Sequence, residues 1–166
     1  MSKIRTEEIR IEKLTKDHII NDFQCYEEEL VKCLQEDALD HQNKKISITY
    51  LWFLKEKNEL IGYFTLLTDK INLEGDLKRY FSDKGVFYHS LPAIKIGRLA
   101  VDNRFLRRGI GSLMIEYIVR RAKLISTRIH GCRFITVDAK STSIPFYGKN
   151  RFKVFREGKE GIFLCS

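Results

Sequence analysis

The stretch that decides the fold begins Ile94-Lys95-Ile96-Gly97-Arg98-Leu99-Ala100-Val101. It continues through Asp102-Asn103 into Arg104-Phe105-Leu106-Arg107-Arg108-Gly109-Ile110-Gly111-Ser112. Its first part reads as a strand whose apolar parity changes midway: Ile94 and Ile96 are even, Leu99 and Val101 odd. One extra residue at Gly97-Arg98, a β-bulge, is expected to return both halves to the core face. Beyond the basic turn, Ile110, Leu113, Met114, Tyr117, Ile118, Ala122 and Ile125 mark one side of a helix. Glu116 and Arg120 support it at i,i+4 spacing. Phe134-Ile135-Thr136-Val137 then has the nearly continuous apolar form of a strand buried on both faces. Strand, helix and strand make a βαβ unit, which crosses over right-handed.

The turn carries the chemistry. Two glycines let the backbone approach a ligand, and the first amides of the helix are unpaired donors with partial positive charge. Arg104, Arg107 and Arg108 add full charges, so the physics points to an anion site, with pyrophosphate the best fit. A phosphate loop of the G-x-x-x-x-G-K-[ST] kind is absent. A dinucleotide fingerprint would need glycine where Met114 stands, and an acidic ribose ligand where Gly131 stands. The plain alternative is a tight turn whose glycines serve geometry alone.

Working outward, 9–14 suggests a first strand and 25–39 a helix with Tyr26, Leu30, Leu34 and Ala38 on one face. Residues 46–54 and 60–68 read as strands joined by the polar loop 55–59. The segment 69–91 is too long for a structureless loop, so a short helix near 77–81 or a flap is expected. A helix near 143–149 and strands at 152–155 and 162–165 complete one α/β domain over 1–166. The chain has 166 residues, 43% hydrophobic and 11% aromatic, with two prolines. Collagen-like, disordered and disulfide-scaffold classes are excluded.

Net charge is +8, unevenly spread. Residues 1–96 carry 15 Lys/Arg against 17 Asp/Glu, and residues 97–166 carry 15 against 5. A basic carboxyl half suits a polyphosphate, a nucleic acid or an acidic partner, or is a solvated face. Cys25, Cys33, Cys132 and Cys165 lie far apart without metal-ligand spacing and read as buried thiols; no metal is expected. No apolar run approaches the roughly 18 residues of a membrane helix, and a cytoplasmic protein without membrane contact is expected.

The chain resembles the GNAT superfamily of N-acetyltransferases. Their acetyl-CoA signature, strand then R/Q-x-x-G-x-G/A then helix, lies over Leu106-Arg107-Arg108-Gly109-Ile110-Gly111. The first position is Leu106 where Arg or Gln is usual, which removes one polar contact. Ile144-Pro145-Phe146-Tyr147-Gly148-Lys149-Asn150-Arg151-Phe152 resembles the family's F-Y-x-x-x-G-F ending, with Arg151 in place of glycine. Phe23-Gln24-Cys25, Gly62-Tyr63-Phe64-Thr65-Leu66 and the stretch from Leu91-Pro92-Ala93 through Asp102 resemble the subgroup that includes tRNA-acetylating toxins of toxin–antitoxin modules. The resemblance implies a mixed, mostly antiparallel sheet with a central βαβ acetyl-CoA unit and a splayed, bulged fourth strand. The pantetheine arm would pair with Leu99, Ala100 and Val101, and the pyrophosphate with Arg107, Arg108, Gly109, Ile110, Gly111 and Ser112.

The implied activity is acetyl transfer from acetyl-CoA to a primary amine: a small molecule, a protein amine or an aminoacyl-tRNA. The alternative is an idle module that binds CoA or nucleic acid. A strand amide near Leu99 or Val101 would stabilise the oxyanion. Tyr147 would protonate the leaving thiolate, since a phenol of pKa about 10 is not far from a thiol near 8.5. The resemblance implies a glutamate base on a central strand, and this sequence places none there: Glu56 and Glu59 fall in a loop, Glu74 in the irregular segment, and Asp102 reads as a cap. His18, His41, His89 and His130 show no pairing. Arg98 meets either substrate or a structural carboxylate. Arg120, Arg121, Lys123 and Arg128 form either a solvated face or an RNA-backbone track. An antitoxin and a second copy of the chain are the expected protein partners.

Overall fold

The structure is a computed structural model that describes residues 2–156 and 159–163. Among them the strands are β1 (Ile9–Lys13), β2 (Ile48–Leu54), β3 (Glu59–Asn72), β4 (Ser90–Val101), β5 (Phe134–Val137), β6 (Lys153–Arg156) and β7 (Lys159–Phe163). The helices are α1 (Glu28–Lys32), α2 (Ala38–Asn43), α3 (Gly75–Asp83), α4 (Ile110–Arg128) and α5 (Ile144–Lys149), with a π segment, Cys33–Asp37, joining α1 to α2. The strand order is β1-β2-β3-β4-β5-β7-β6. β1 pairs with β2, β2 with β3, and β5 and β6 with β7, all antiparallel. β4 and β5, joined through α4, run parallel. The mixed, mostly antiparallel sheet and its βαβ unit are as expected.

The chain forms two compact units: Met1–Leu67 with Ile96–Ile118, and Thr68–Lys95 with Val119–Ser166. The first holds a core of Leu14, Phe23, Leu34, Leu51, Phe53 and Tyr63. Tyr117 of α4 meets Trp52 and Phe64 edge-on or tilted at 5.8 and 5.9 Å, fixing the start of that helix on β2 and β3. The second unit's core gathers Ile71, Leu73, Phe81, Ala93 and Phe134. There the Thr136 hydroxyl donates to Asp69 at 2.7 Å.

Three expectations change. The helix expected over 25–39 starts later and ends at Asn43, and Tyr26, expected on its buried face, is 81% exposed. Its amide instead donates to Asn103 Oδ1 at 3.1 Å, which holds the chain outside the helix. The strand expected over 60–68 runs on to Asn72, and 75–83 forms the expected short helix with wider bounds. In β4, Leu99 and Val101 are not the buried pair. Ile94, Ile96 and Ala100 are buried, while Leu99 and Val101 are half-buried and Arg98 is exposed.

The two strands β3 and β4 pack closely along this stretch. A Cβ on Gly62 would lie 2.6 Å from the Ala100 carbonyl and 2.6 Å from Met114 Cε. A Cβ on Gly97 would lie 2.7 Å from Thr65 Oγ1. β3 and β4 therefore approach closely where Gly62 and Gly97 stand, and Ala100 is buried beside them. Within strands of the first unit, a register break falls at Trp52/Phe53 of β2. Leu164 and Cys165, at the end of the last expected strand, lie outside the described residues.

Candidate active site

The turn between β4 and α4 is built from Asp102 outward. Its side chain is fully buried. Oδ1 accepts from the Arg104 amide at 3.0 Å and Arg104 Nε at 2.9 Å. Oδ2 accepts from the Gln24 amide at 3.0 Å and Arg104 Nη2 at 3.2 Å. Burial pushes this carboxyl up, but the guanidinium and backbone donors outweigh it and hold it below the usual carboxylate range. Asp102 thus caps the short 3-10 turn Asn103–Phe105, as expected. Arg104, one of the three arginines expected to charge the anion site, is committed to this aspartate.

Past the cap the backbone turns sharply. Arg107 has φ 61° and Gly109 φ 80°. A left-handed arginine is uncommon and carries a backbone cost, as do Lys45, Asn58 and Arg151 elsewhere. Gly109 accepts the first helical bond, from the Leu113 amide at 3.1 Å. The amides of Ile110, Gly111 and Ser112 precede that bond and have no acceptor within the helix. Ile110, buried to 1%, anchors the helix start from beneath. Arg107 is exposed and makes no ion pair among the described residues. Left-handed residues either side of Arg108 lead the chain directly into a helix start whose first amides have no acceptor within the helix, a place suited to an anion. The residues present therefore fit a pyrophosphate.

A family model described as the acetyltransferase (GNAT) domain matches residues 47–154. The chain belongs to the GNAT acetyltransferases. As such it is an acetyltransferase with acetyl-CoA as co-substrate. Among solved structures, this GNAT chain is similar to the AtaT toxin complexed with acetyl-methionyl-tRNAfMet. The TM-score is 0.81 at 22% identity, over 93% of this chain and 94% of that one. A tyrosine-to-phenylalanine mutant of AtaT, bound to the C-terminus of the antitoxin AtaR and acetyl-CoA, matches with TM-score 0.76 and 21% identity over 95% and 94%. A tyrosine-to-phenylalanine mutant of KacT matches with TM-score 0.81 and 21% identity over 95% of each chain. At these identities the likeness is one of fold.

The first unit of this acetyltransferase carries both the turn and Leu99, Ala100 and Val101 at the end of β4. Arg98, between them and Gly97, folds back so that its Nη1 donates to the Gly97 carbonyl at 2.7 Å. The structural carboxylate considered for it is not met among the described residues. Tyr147 belongs to the second unit. It is buried to 6% in α5 and meets Phe146 and Phe152 edge-on at 5.0 and 5.2 Å. Its carbonyl accepts from the Phe152 amide at 3.0 Å.

Two features were not read from the sequence. His18 has a partner after all: its Nδ1 accepts from the Thr15 amide at 2.9 Å, so Nε2 carries the proton and donates to Glu12 at 3.1 Å. Both nitrogens are engaged, which leaves no lone pair for base catalysis. The Tyr63 hydroxyl donates to the Leu30 carbonyl at 2.6 Å, and burial pushes its pKa far up. It is a structural donor. The 33-residue separation of Tyr63 and Leu30 lies beyond local sequence reading, whereas the Thr15–His18 spacing of three was a local signal that could have been used. Among the described residues no group of three or more His, Cys, Asp and Glu could hold a metal ion, and no helix is long and apolar enough to cross a membrane.

Proposed function

We propose that residues 1–166 form one N-acetyltransferase domain that acetylates the α-amino group of an aminoacyl-tRNA in the cytoplasm. The observation that carries this reading is the similarity of fold, over nine-tenths of both chains, to a toxin complexed with an acetylated aminoacyl-tRNA. The basic carboxyl half supports it, with Arg120, Lys123 and Arg128 exposed along α4. The relatives bound to an antitoxin support an antitoxin partner for this chain as well, and a second copy of the chain completes the assembly.

Bound acetyl-CoA supplies an acetyl thioester. Arg107 and Arg108 neutralise its pyrophosphate, with the amides of Gly109, Ile110, Gly111 and Ser112 as donors. The backbone of Leu99, Ala100 and Val101 aligns the pantetheine arm as an added strand would. An amide at Leu99 or Val101 donates to the carbonyl oxygen as negative charge develops there. Tyr147 gives its phenolic proton to the departing thiolate. The new N–C bond replaces the C–S bond, and the nitrogen releases its proton to water. An α-amino group next to an ester is weakly basic and largely neutral near pH 7, so no side-chain base is required. Arg98 contacts the acceptor.

Incubating the protein with charged tRNA and acetyl-CoA tests the reading; acetylated aminoacyl-tRNA is the expected product. Each phosphate neutralised adds about −0.7 to −0.9 to the log–log salt slope of tRNA binding. Arg120→Ala with Arg121→Ala should flatten that slope and leave acetyl-CoA affinity unchanged. A protein that binds acetyl-CoA but yields no acetylated tRNA acts on another amine, or on none.

A further inference from the structure

The glycine turn has a second layer. Residues 2–4 run beside it, the Ile4 amide donating to the Arg108 carbonyl at 3.0 Å and Arg108 Nε donating to the Ser2 carbonyl at 3.0 Å. Ile4 is buried to 4% and anchors this strap. Lys3, between them, is exposed, and its stem crosses the flank of Gly109. Lys3 Cδ and Cγ lie 3.8 and 3.9 Å from where a Cβ would stand.

Five cations lie at the turn and the strap beside it, and two are ion-paired within the protein. Arg104 is held by Asp102 and Arg5 pairs with Glu8 at 3.6 Å, while Arg108 gives only its Nε to the Ser2 carbonyl and keeps its charge for the turn. Arg108, Arg107 and Lys3 have no ion pair among the described residues, and of these Lys3 is the one that no phosphate role yet uses. The position that usually supplies a polar side chain at this turn is Leu106, 38% exposed and with nothing to donate. The missing contact and the unused ammonium belong to the same turn.

We propose that Lys3 is a cofactor-binding residue, its ammonium supplying the phosphate contact that Leu106 cannot. The strap carries it there and clamps the turn through Arg108. The inference rests on the turn being the acetyl-CoA phosphate site.

Calorimetry with acetyl-CoA as the titrant tests it on the full chain. Lys3→Ala should weaken binding about fivefold at low salt, as expected for one partly exposed charge contact. The gap should close to within about twofold near 1 M salt, where screening is short-ranged. Lys3→Arg should bind within twofold of the parent. Adding Leu106→Gln to Lys3→Ala should recover most of the loss, which a merely structural strap would not allow. Gly111→Val, which places a branched side chain where phosphate meets backbone, is the control and should lose more than tenfold. Unchanged affinity in Lys3→Ala with a clear loss in Gly111→Val overturns the role of Lys3 alone. Unchanged affinity in both overturns the phosphate reading of the turn together with it. A loss in Lys3→Ala that neither arginine nor Leu106→Gln repairs shows packing rather than charge, and also overturns the proposal.

Discussion

Replacing Asp102 by asparagine keeps the shape of the cap and removes its charge, so the consequence can be worked from four contacts. Oδ1 and Oδ2 each accept from one backbone amide and one guanidinium nitrogen. An asparagine amide, whichever way it turns, keeps one pair and sets its NH2 against the donors of the other. Arg104, half exposed, can turn to water, which softens that part of the loss. The backbone amide cannot. A buried N–H left without an acceptor costs about 1–3 kcal/mol, and losing the charge on the remaining bonds adds to it. The expected destabilisation is about 2–3 kcal/mol, a fall in Tm of roughly 5–10 °C for a chain of this size. Urea denaturation at pH 7 should show a lower midpoint with an unchanged slope.

The pH dependence follows from the depressed carboxyl. A group whose folded pKa lies below its unfolded value contributes fully above the unfolded value, near 3.9, and loses that contribution as pH falls through the folded one. The difference between parent and variant should therefore shrink in acid below pH 4. A variant within about 0.5 kcal/mol of the parent at pH 7, or a difference independent of pH down to pH 2, would refute the reasoning.

Tyr147→Phe should leave acetyl-CoA affinity within a few-fold and lower turnover roughly 10²-fold or more, measured on whichever acceptor proves active. Intact turnover would assign the proton to water or another group. Gly62→Ala should destabilise by about 1–3 kcal/mol, because its Cβ would meet the Ala100 carbonyl as well as Met114, and the backbone cannot yield. Met114→Ala added to it should relieve only part of that cost, and full rescue in chemical denaturation would show that the carbonyl contact is relaxed.

Local patterns made much of this molecule legible. Ile110, Met114 and Ile118 announced α4 by their spacing, and Asp102 announced a cap by its place after a strand. Leu77 and Phe81 marked a short helix in a segment with no other order. What stayed hidden depends on distant pairs. β3 looked finished at Thr68 because Asp69 and Lys70 are polar, yet Asp69 takes the hydroxyl of Thr136, 67 residues away. Gly97 looked like a bulge residue, and its neighbours Thr65 and Leu67 show that it is small for lack of room. Arg104 looked like a phosphate ligand until its aspartate was placed. The strap at residues 2–4 carries no motif, and only its hydrogen bonds to Arg108 connect it with the turn.

The π segment Cys33–Asp37 has a consequence for how this chain tolerates length changes. A π turn amounts to one extra residue wound into a helix. Downstream of it Ala38 is buried to 1%, and Gln42 bridges the Leu14 carbonyl at 2.8 Å and the Thr49 amide at 3.0 Å. Deleting one residue there would give a more regular helix, yet it would rotate everything that follows by about 100°. Ala38 would swing towards solvent and Gln42 would leave both backbone groups unmatched. The locally irregular winding is what sets the phase of α2, so a shortened chain would be better as an isolated helix and worse as a protein.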